Sequence, residues 1–187
     1  MKKRTIYIFL GIFIVLLAAA SFPQWKKYAG FEEKPTVSEA IINLLKISID
    51  KTSRFEIKDS SGEKKFVKKN GAWKVNESEA DSEKVKAFFN DLNKAEFKEL
   101  ASKNKSNHPS FDISEDKGIA LTIATDSGDN KFIIGKSGAN YNSFYINIKG
   151  GNNIYLFSGS LRNDLTKDIV DWQKKAEEDK TDETKAE

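Results

Sequence analysis

The chain has 187 residues, with 31 Lys+Arg, 28 Asp+Glu, one His and no Cys. Lys2, Lys3 and Arg4 account for the whole +3 charge, because the remaining 28 basic residues face 28 acids; the basic balance is no argument for nucleic acid, which is not expected as a partner. The absence of Cys excludes disulfides, thiolate nucleophiles, Cys-ligated zinc, iron–sulfur sites and a lipoprotein anchor, and a single His excludes a metal site built on two or three of them.

The amino terminus is the strongest signal. Residues 6–22, from Ile6 to Phe22, are free of charge. A helix of that length spans about 25 Å, the short end of what crosses a ~30 Å hydrocarbon core. Three cations precede it, which places the amino terminus in the cytoplasm and the rest outside. We expect residues 1–22 to be a signal anchor, single-pass in the cell membrane, with the lipid bilayer as its partner. The alternative is a signal peptide cleaved near Ala20, since Ala18-Ala19-Ala20 fits the small-x-small pattern. Either way the domain is extracytoplasmic.

Residues 23–46 read as a spacer broken by Pro23, Gly30 and Pro35, with a short helix over 37–45. The segment 47–173 reads as the folded domain. Phe55 and Ile57 alternate with charges; Asp59-Ser60-Ser61-Gly62 turns into Lys65-Phe66-Val67-Lys68; Asn70-Gly71 is a two-residue hairpin signal before Trp73 and Val75. Val85, Phe88, Phe89 and Leu92 then recur at i, i+3, i+4 and i+7, one face of a helix capped by Asp81 or Ser82, with Phe97 and Leu100 extending the apolar set. Residues 102–110 read as a loop containing His108, expected to be exposed. A second meander follows: Ile119-Leu121-Ile123, Phe132-Ile133-Ile134, Phe144-Ile146-Ile148 and Ile154–Phe157, with Gly135–Gly138 and Gly150-Gly151 as turns. Leu161, Leu165, Ile169 and Trp172 form the stripe of a last helix. Residues 174–187 form a charged tail. The expected class is α+β, two mostly antiparallel meanders each closed by a helix (βββ-α-ββββ-α), plus the membrane helix.

Phe55–Lys58, Gly71-Ala72-Trp73-Lys74-Val75, Ala80-Asp81, Ile133-Ile134-Gly135-Lys136, Ile154–Phe157 and Asp171-Trp172 together resemble the domain of unknown function 4340 family, over about residues 54–174. The Gly-x-Trp hairpin before the Ala-Asp helix start and the Ile-Gly-Lys segment are its most specific parts. The family's Tyr-Gly-Leu-Asp-like element meets Phe111-Asp112-Ile113 here, without the Gly. The resemblance implies an extracytoplasmic bacterial module on a membrane anchor, with relatives attached to gliding-motility or transporter-associated envelope proteins. It implies no catalytic residues.

Gly135-Lys136-Ser137 imitates the end of a P-loop, but position 130 is Asn where the motif needs Gly, and strand rather than helix follows. No cofactor, metal ligand or catalytic residue is assigned. Glu115-Asp116 and Asp164/Asp168/Asp171 are the densest acid groups, with the latter read as a solvated helix face. Tyr141, Phe144 and Tyr155 are candidates for a surface groove. Lys64, Lys65, Phe66, Lys68 and Lys69 place four cations around an aromatic and are the candidate partner- or polymer-binding residues. The reading is a noncatalytic, membrane-tethered module binding an envelope protein; the alternatives are a carboxylate-dependent glycan hydrolase, or a binder of anionic polymer through Lys64–Lys69.

Overall fold

A computed structural model of the chain describes residues 38–175. The expected anchor at 1–22, most of the spacer and residues 176–187 of the tail lie outside the described residues. Among the described residues no helix is long and apolar enough to cross a membrane.

Among the described residues nine strands form one antiparallel sheet. β1 (Thr52–Asp59), β2 (Gly62–Lys69), β3 (Ala72–Val75) and β4 (Ser78–Glu79) precede the helix α2 (Ser82–Lys94). After it come β5 (Glu96–Ser102), β6 (Ile119–Thr125), β7 (Gly128–Ser137), β8 (Ser143–Ile148) and β9 (Ile154–Ser158). The order across the sheet is β4-β3-β2-β1-β6-β7-β8-β9-β5. The two meanders are thus joined edge to edge through β1 and β6. Among the described residues a short helix α1 (Glu39–Ile42) comes first, and α3 (Leu161–Leu165) and α4 (Ile169–Trp172) come last.

One sheet face carries the core. Val85, Phe88, Phe89 and Leu92 of α2 are buried against it, as their spacing predicts. Phe55 is the hub: its ring stacks on Phe66 at 4.1 Å and on Phe88 at 5.0 Å, and meets Trp73 and Phe89 edge-on at 5.4 and 5.5 Å. Trp172 closes the cluster, 5.0 Å from Phe66 and 5.8 Å from Phe88. Such offset and edge contacts add roughly 0.5–1.5 kcal/mol per pair beyond area burial. Asp81 caps α2 through Oδ1, which accepts from the Glu83 and Lys84 amides at 3.0 and 3.3 Å.

Several expectations need correction. Phe97 and Leu100 do not extend the helix; they lie on β5, whose pairing with β9 is bulged at Phe97/Glu99 and Leu100/Ser102. Gly135–Ser137 is strand, not turn, with the register shift between Ile134 and Ser137. The expected last helix is two short ones, although all four stripe residues pack inward. The helix over 37–45 is limited to Glu39–Ile42, and Leu45, at the spacer's end, is 1 % exposed in the core. The 102–110 loop holds a 3₁₀ segment, Lys105–Phe111; His108 there is half-buried, with Nε2 3.0 Å from the Asn152 carbonyl.

Candidate binding face of the sheet

The second sheet face is covered over only half its width. Ile113 and Phe111, carried by the 3₁₀ segment and the residues after it, pack on Ile133, Ile154 and Tyr145 of β7, β9 and β8. A Cβ at Gly135 would overlap the Phe111 carbonyl oxygen, so the closest approach of segment to strand needs glycine. Over β3, β2, β1 and β6 no described segment covers this face; its side chains are charged or small, as expected where one side of an antiparallel sheet is solvated.

The register arranges that bare area in rows. Lys74, Val67, Arg54, Ala124 and Asp129 are successive cross-strand partners, as are Lys65, Glu56, Thr122 and Lys131, and Glu63, Lys58 and Ala120. Val67, 37 % exposed, floors a shallow pocket of about 400 Å³ ringed by Lys65, Lys69 and Lys74. A second, of about 450 Å³, adjoins it across Arg54, Glu56 and Thr122.

Three acids of the face are engaged within it, while Glu77, at the edge of the Val67 pocket, makes no ion pair among the described residues. Asp129 pairs with Arg54 at 3.3 Å and Glu63 with Lys65 at 2.7 Å. The Glu63 carboxylate, within hydrogen-bonding reach, pushes the Glu56 carboxyl above its usual range, aided by burial and by repulsion between the two. The same bond, with help from Lys65, holds Glu63 below its usual range. Lys58, Lys69, Lys74 and Lys131 make no ion pair among the described residues. The surplus on the face is therefore cationic.

The predicted basic run is divided by the strand's two-residue period. Lys65 and Lys69 stand on the bare face. Phe66 is in the core, and Lys64, 5 % exposed, is ion-paired to Asp59 at 3.2 Å and donates to the Leu165 and Lys167 carbonyls at 3.3 and 2.9 Å. Lys68 lies on the core side, 6.0 Å from the Trp73 ring centroid. The cations that join Lys65 and Lys69 come from other strands: Arg54, Lys74 and Lys131. No local run signals them; only the pairing register does.

The remaining candidates fall elsewhere. Phe144 and Tyr155 are buried while Tyr141 is 98 % exposed, so they form no common groove. Glu115 pairs with Lys149 at 2.6 Å on the surface. Asp164 is not solvated: it is 6 % exposed, with Oδ1 2.6 Å from Lys167 Nζ and Oδ2 without a partner among the described residues. Burial, reinforced by nearby Asp91, raises its carboxyl above the usual range despite Lys167. Among the described residues no group of three or more His, Asp or Glu is placed to hold a metal ion.

A nine-stranded α+β module with one face half bare is what the fold defines. The chain belongs to the family described as Domain of unknown function (DUF4340), whose family model matches residues 73–185. None of the curated proteins and none of the solved structures matches it.

Proposed function

We propose that this chain is a noncatalytic module, held on the outer side of a bacterial cell membrane by residues 6–22, that binds an envelope protein through the bare face of β3, β2, β1 and β6. The observation that carries the reading is that face. It combines accessible apolar surface at Val67 and Ala120 with a rim of solvated charge, the division found in protein–protein interfaces. The leader supports the membrane placement, and the family resemblance supports a setting in transport or gliding-motility assemblies.

The test is site-specific photo-crosslinking with the full chain in its membrane. Val67→p-benzoylphenylalanine gives a discrete protein adduct, and the same replacement at Tyr141, on a distant hairpin tip, does not. Absence of any adduct from position 67 removes the reading.

The Glu56–Glu63 pair is the acid pair on this face that a second reading, a carboxylate-dependent hydrolase of wall glycan, would use; its carboxyls lie within hydrogen-bonding reach, closer than the roughly 5–10 Å that such hydrolysis uses. Its test is turnover of wall glycan by the purified chain. Activity lost in Glu56→Gln would replace the binding reading with this one.

A further inference from the structure

Two acids meet where α2 packs on α3. Asp164 of α3 is 6 % exposed. Its Oδ1 accepts from Lys167 Nζ at 2.6 Å, while its Oδ2 is buried and has no donor among the described residues. Within hydrogen-bonding reach of it stands the carboxyl of Asp91, on α2. Asp91 is itself fixed, because its Oδ2 accepts from Ser160 Oγ at 2.7 Å. Gly159 lets the two elements approach this closely: a Cβ there would come within 3.2 Å of the Ala95 Cα, at the end of α2. Other cations nearby are committed. Lys64 of β2 serves Asp59 and the Leu165 and Lys167 carbonyls, and Arg162 Nε of α3 donates to the Gly135 carbonyl at 2.9 Å. Lys167 thus supplies one positive charge against two carboxylates.

Two ionised carboxylates cannot hydrogen-bond to each other, since both only accept. A single proton turns one into a donor and gives the buried oxygen its partner. A hard cation does not serve: it asks for about six to eight oxygens, and no group of three or more acids is placed for one among the described residues. We propose that Asp164, Asp91 and Ser160 form a proton-operated clasp between α2 and α3: in acid, Asp164 Oδ2 carries a proton and donates it to Asp91, which Ser160 holds in position, and at neutral pH the two carboxylates repel and the junction loosens. The step is uptake of one proton from solvent; no other covalent bond forms or breaks. The affinity of Asp164 for that proton is raised first by burial and further by Asp91, against the pull of Lys167, which is the sign the clasp requires. Lys64 joins the end of α3 to β2, the strand that carries Val67 on the bare face. The clasp therefore sits one side chain away from the proposed binding surface, although it does not rest on that reading.

The experiment is amide hydrogen exchange of the full chain in detergent micelles, compared between neutral and mildly acidic buffer after correction for the intrinsic pH dependence of exchange. The reporters are the amides of Asn163, Thr166 and Lys167, which donate to the Ser160, Arg162 and Asp164 carbonyls, read against the amides of β8. Their protection rises about fivefold in acid, the effect of one ordinary hydrogen bond. Asp164→Asn holds it at the high level in both buffers, because an amide donates to Asp91 without a proton. Asp91→Asn removes the pH dependence. The Asp164 Cγ chemical shift gives a second reading: its titration midpoint falls toward that of an ordinary aspartate in Asp91→Asn. Protection in the native chain that is the same in both buffers overturns the proposal. So does a rise in acid that survives in Asp164→Asn, which places the proton elsewhere. An Asp164 midpoint indifferent to Asp91→Asn overturns it as well, since burial alone would then hold the proton.

Discussion

Lys64 and Lys69 are five residues apart on one strand and have opposite duties. Lys64 is buried, and its ammonium satisfies Asp59 and two carbonyls at the end of α3. Truncating one member of a buried pair leaves the other uncompensated, a cost of about 3–5 kcal/mol when burial is complete. Asp59 keeps some exposure and a bond from Ser61, so Lys64→Ala is expected to cost about 2–3 kcal/mol in urea or thermal unfolding. Lys69→Ala stays within about 0.5 kcal/mol, as ordinary surface changes do. Equal costs would mean that the strand's inward and outward sides are exchanged.

Asp164 and Asp59 respond to acid in opposite senses. Burial tends to raise the Asp59 carboxyl, but its bonds from Ser61 and Lys64 outweigh that and hold it below the ordinary range. Its stability contribution is present above the unfolded aspartate pKa and is lost as pH falls through the lower folded value. Asp164 is raised, so the folded state binds its proton more tightly than the unfolded state does. Its charged form costs stability at neutral pH, and that cost is relieved as pH falls through its raised folded pKa. Asn at 164 removes the charge and offers an amide donor to Asp91. Asp164→Asn is therefore expected to gain about 1 kcal/mol at pH 7, with the advantage over the native chain shrinking in thermal melts taken toward pH 4. A variant less stable than the native chain at pH 7 would make the Lys167 pair the dominant interaction. This buried carboxylate had no sequence signal: Asp164, Asp168 and Asp171 read as one polar stripe because the break at residues 166–168, which separates α3 from α4, leaves no Gly or Pro mark.

The elements most legible in sequence are those whose period is unbroken. The α2 face and the hairpin at Asn70-Gly71, where φ is 52° and 81°, follow directly from spacing and turn chemistry. β5 was hidden because two bulges spoil its alternation, and Phe97 and Leu100, three apart, imitate a helical turn continuing α2. The covering 3₁₀ segment was hidden for another reason: its docking depends on a distant glycine. At Asp112, where the family resemblance expects Gly, the backbone is left-handed with φ 56°. Aspartate tolerates that conformation better than most residues. Gly135→Ala tests the docking. The added methyl has backbone on one side and Ile113 on the other, so the segment must lift. The expected result is a loss of about 2–3 kcal/mol, in the range of overpacked cores, with faster amide exchange at Ile113 and Gly118. Exchange unchanged at those two amides would show that the segment is held by other contacts.

At the scale of the whole molecule, the sequence gives composition and class readily but not the joining of the meanders. That joining comes from β1 pairing with β2 on one side and β6 on the other, a contact between residues about seventy apart. The bare face exists only because of it: Arg54 meets Asp129 and Thr122 meets Glu56 across strands that no local pattern links. It also conflicts with the extent of the family match, which starts at Trp73, inside β3. A fragment of residues 73–175 lacks β1 and β2 and therefore both Phe55 and Phe66, the stacked pair at the centre of the aromatic cluster. It strips the partner strand from β6, leaving Leu121 and Ile123 on an unprotected edge, the kind of strand that pairs with another copy. Losing two fully buried phenylalanines alone removes about 3–5 kcal/mol each, against a typical total of about 5–15 kcal/mol for a domain. Residues 38–175 should unfold in one cooperative transition by circular dichroism and remain monomeric, whereas 73–175 should aggregate or lack a transition. A cooperative melt from 73–175 would mean that β3 to β9 form a core without the central strands, and the face built on β1 and β2 would then be an addition to the domain, not its middle.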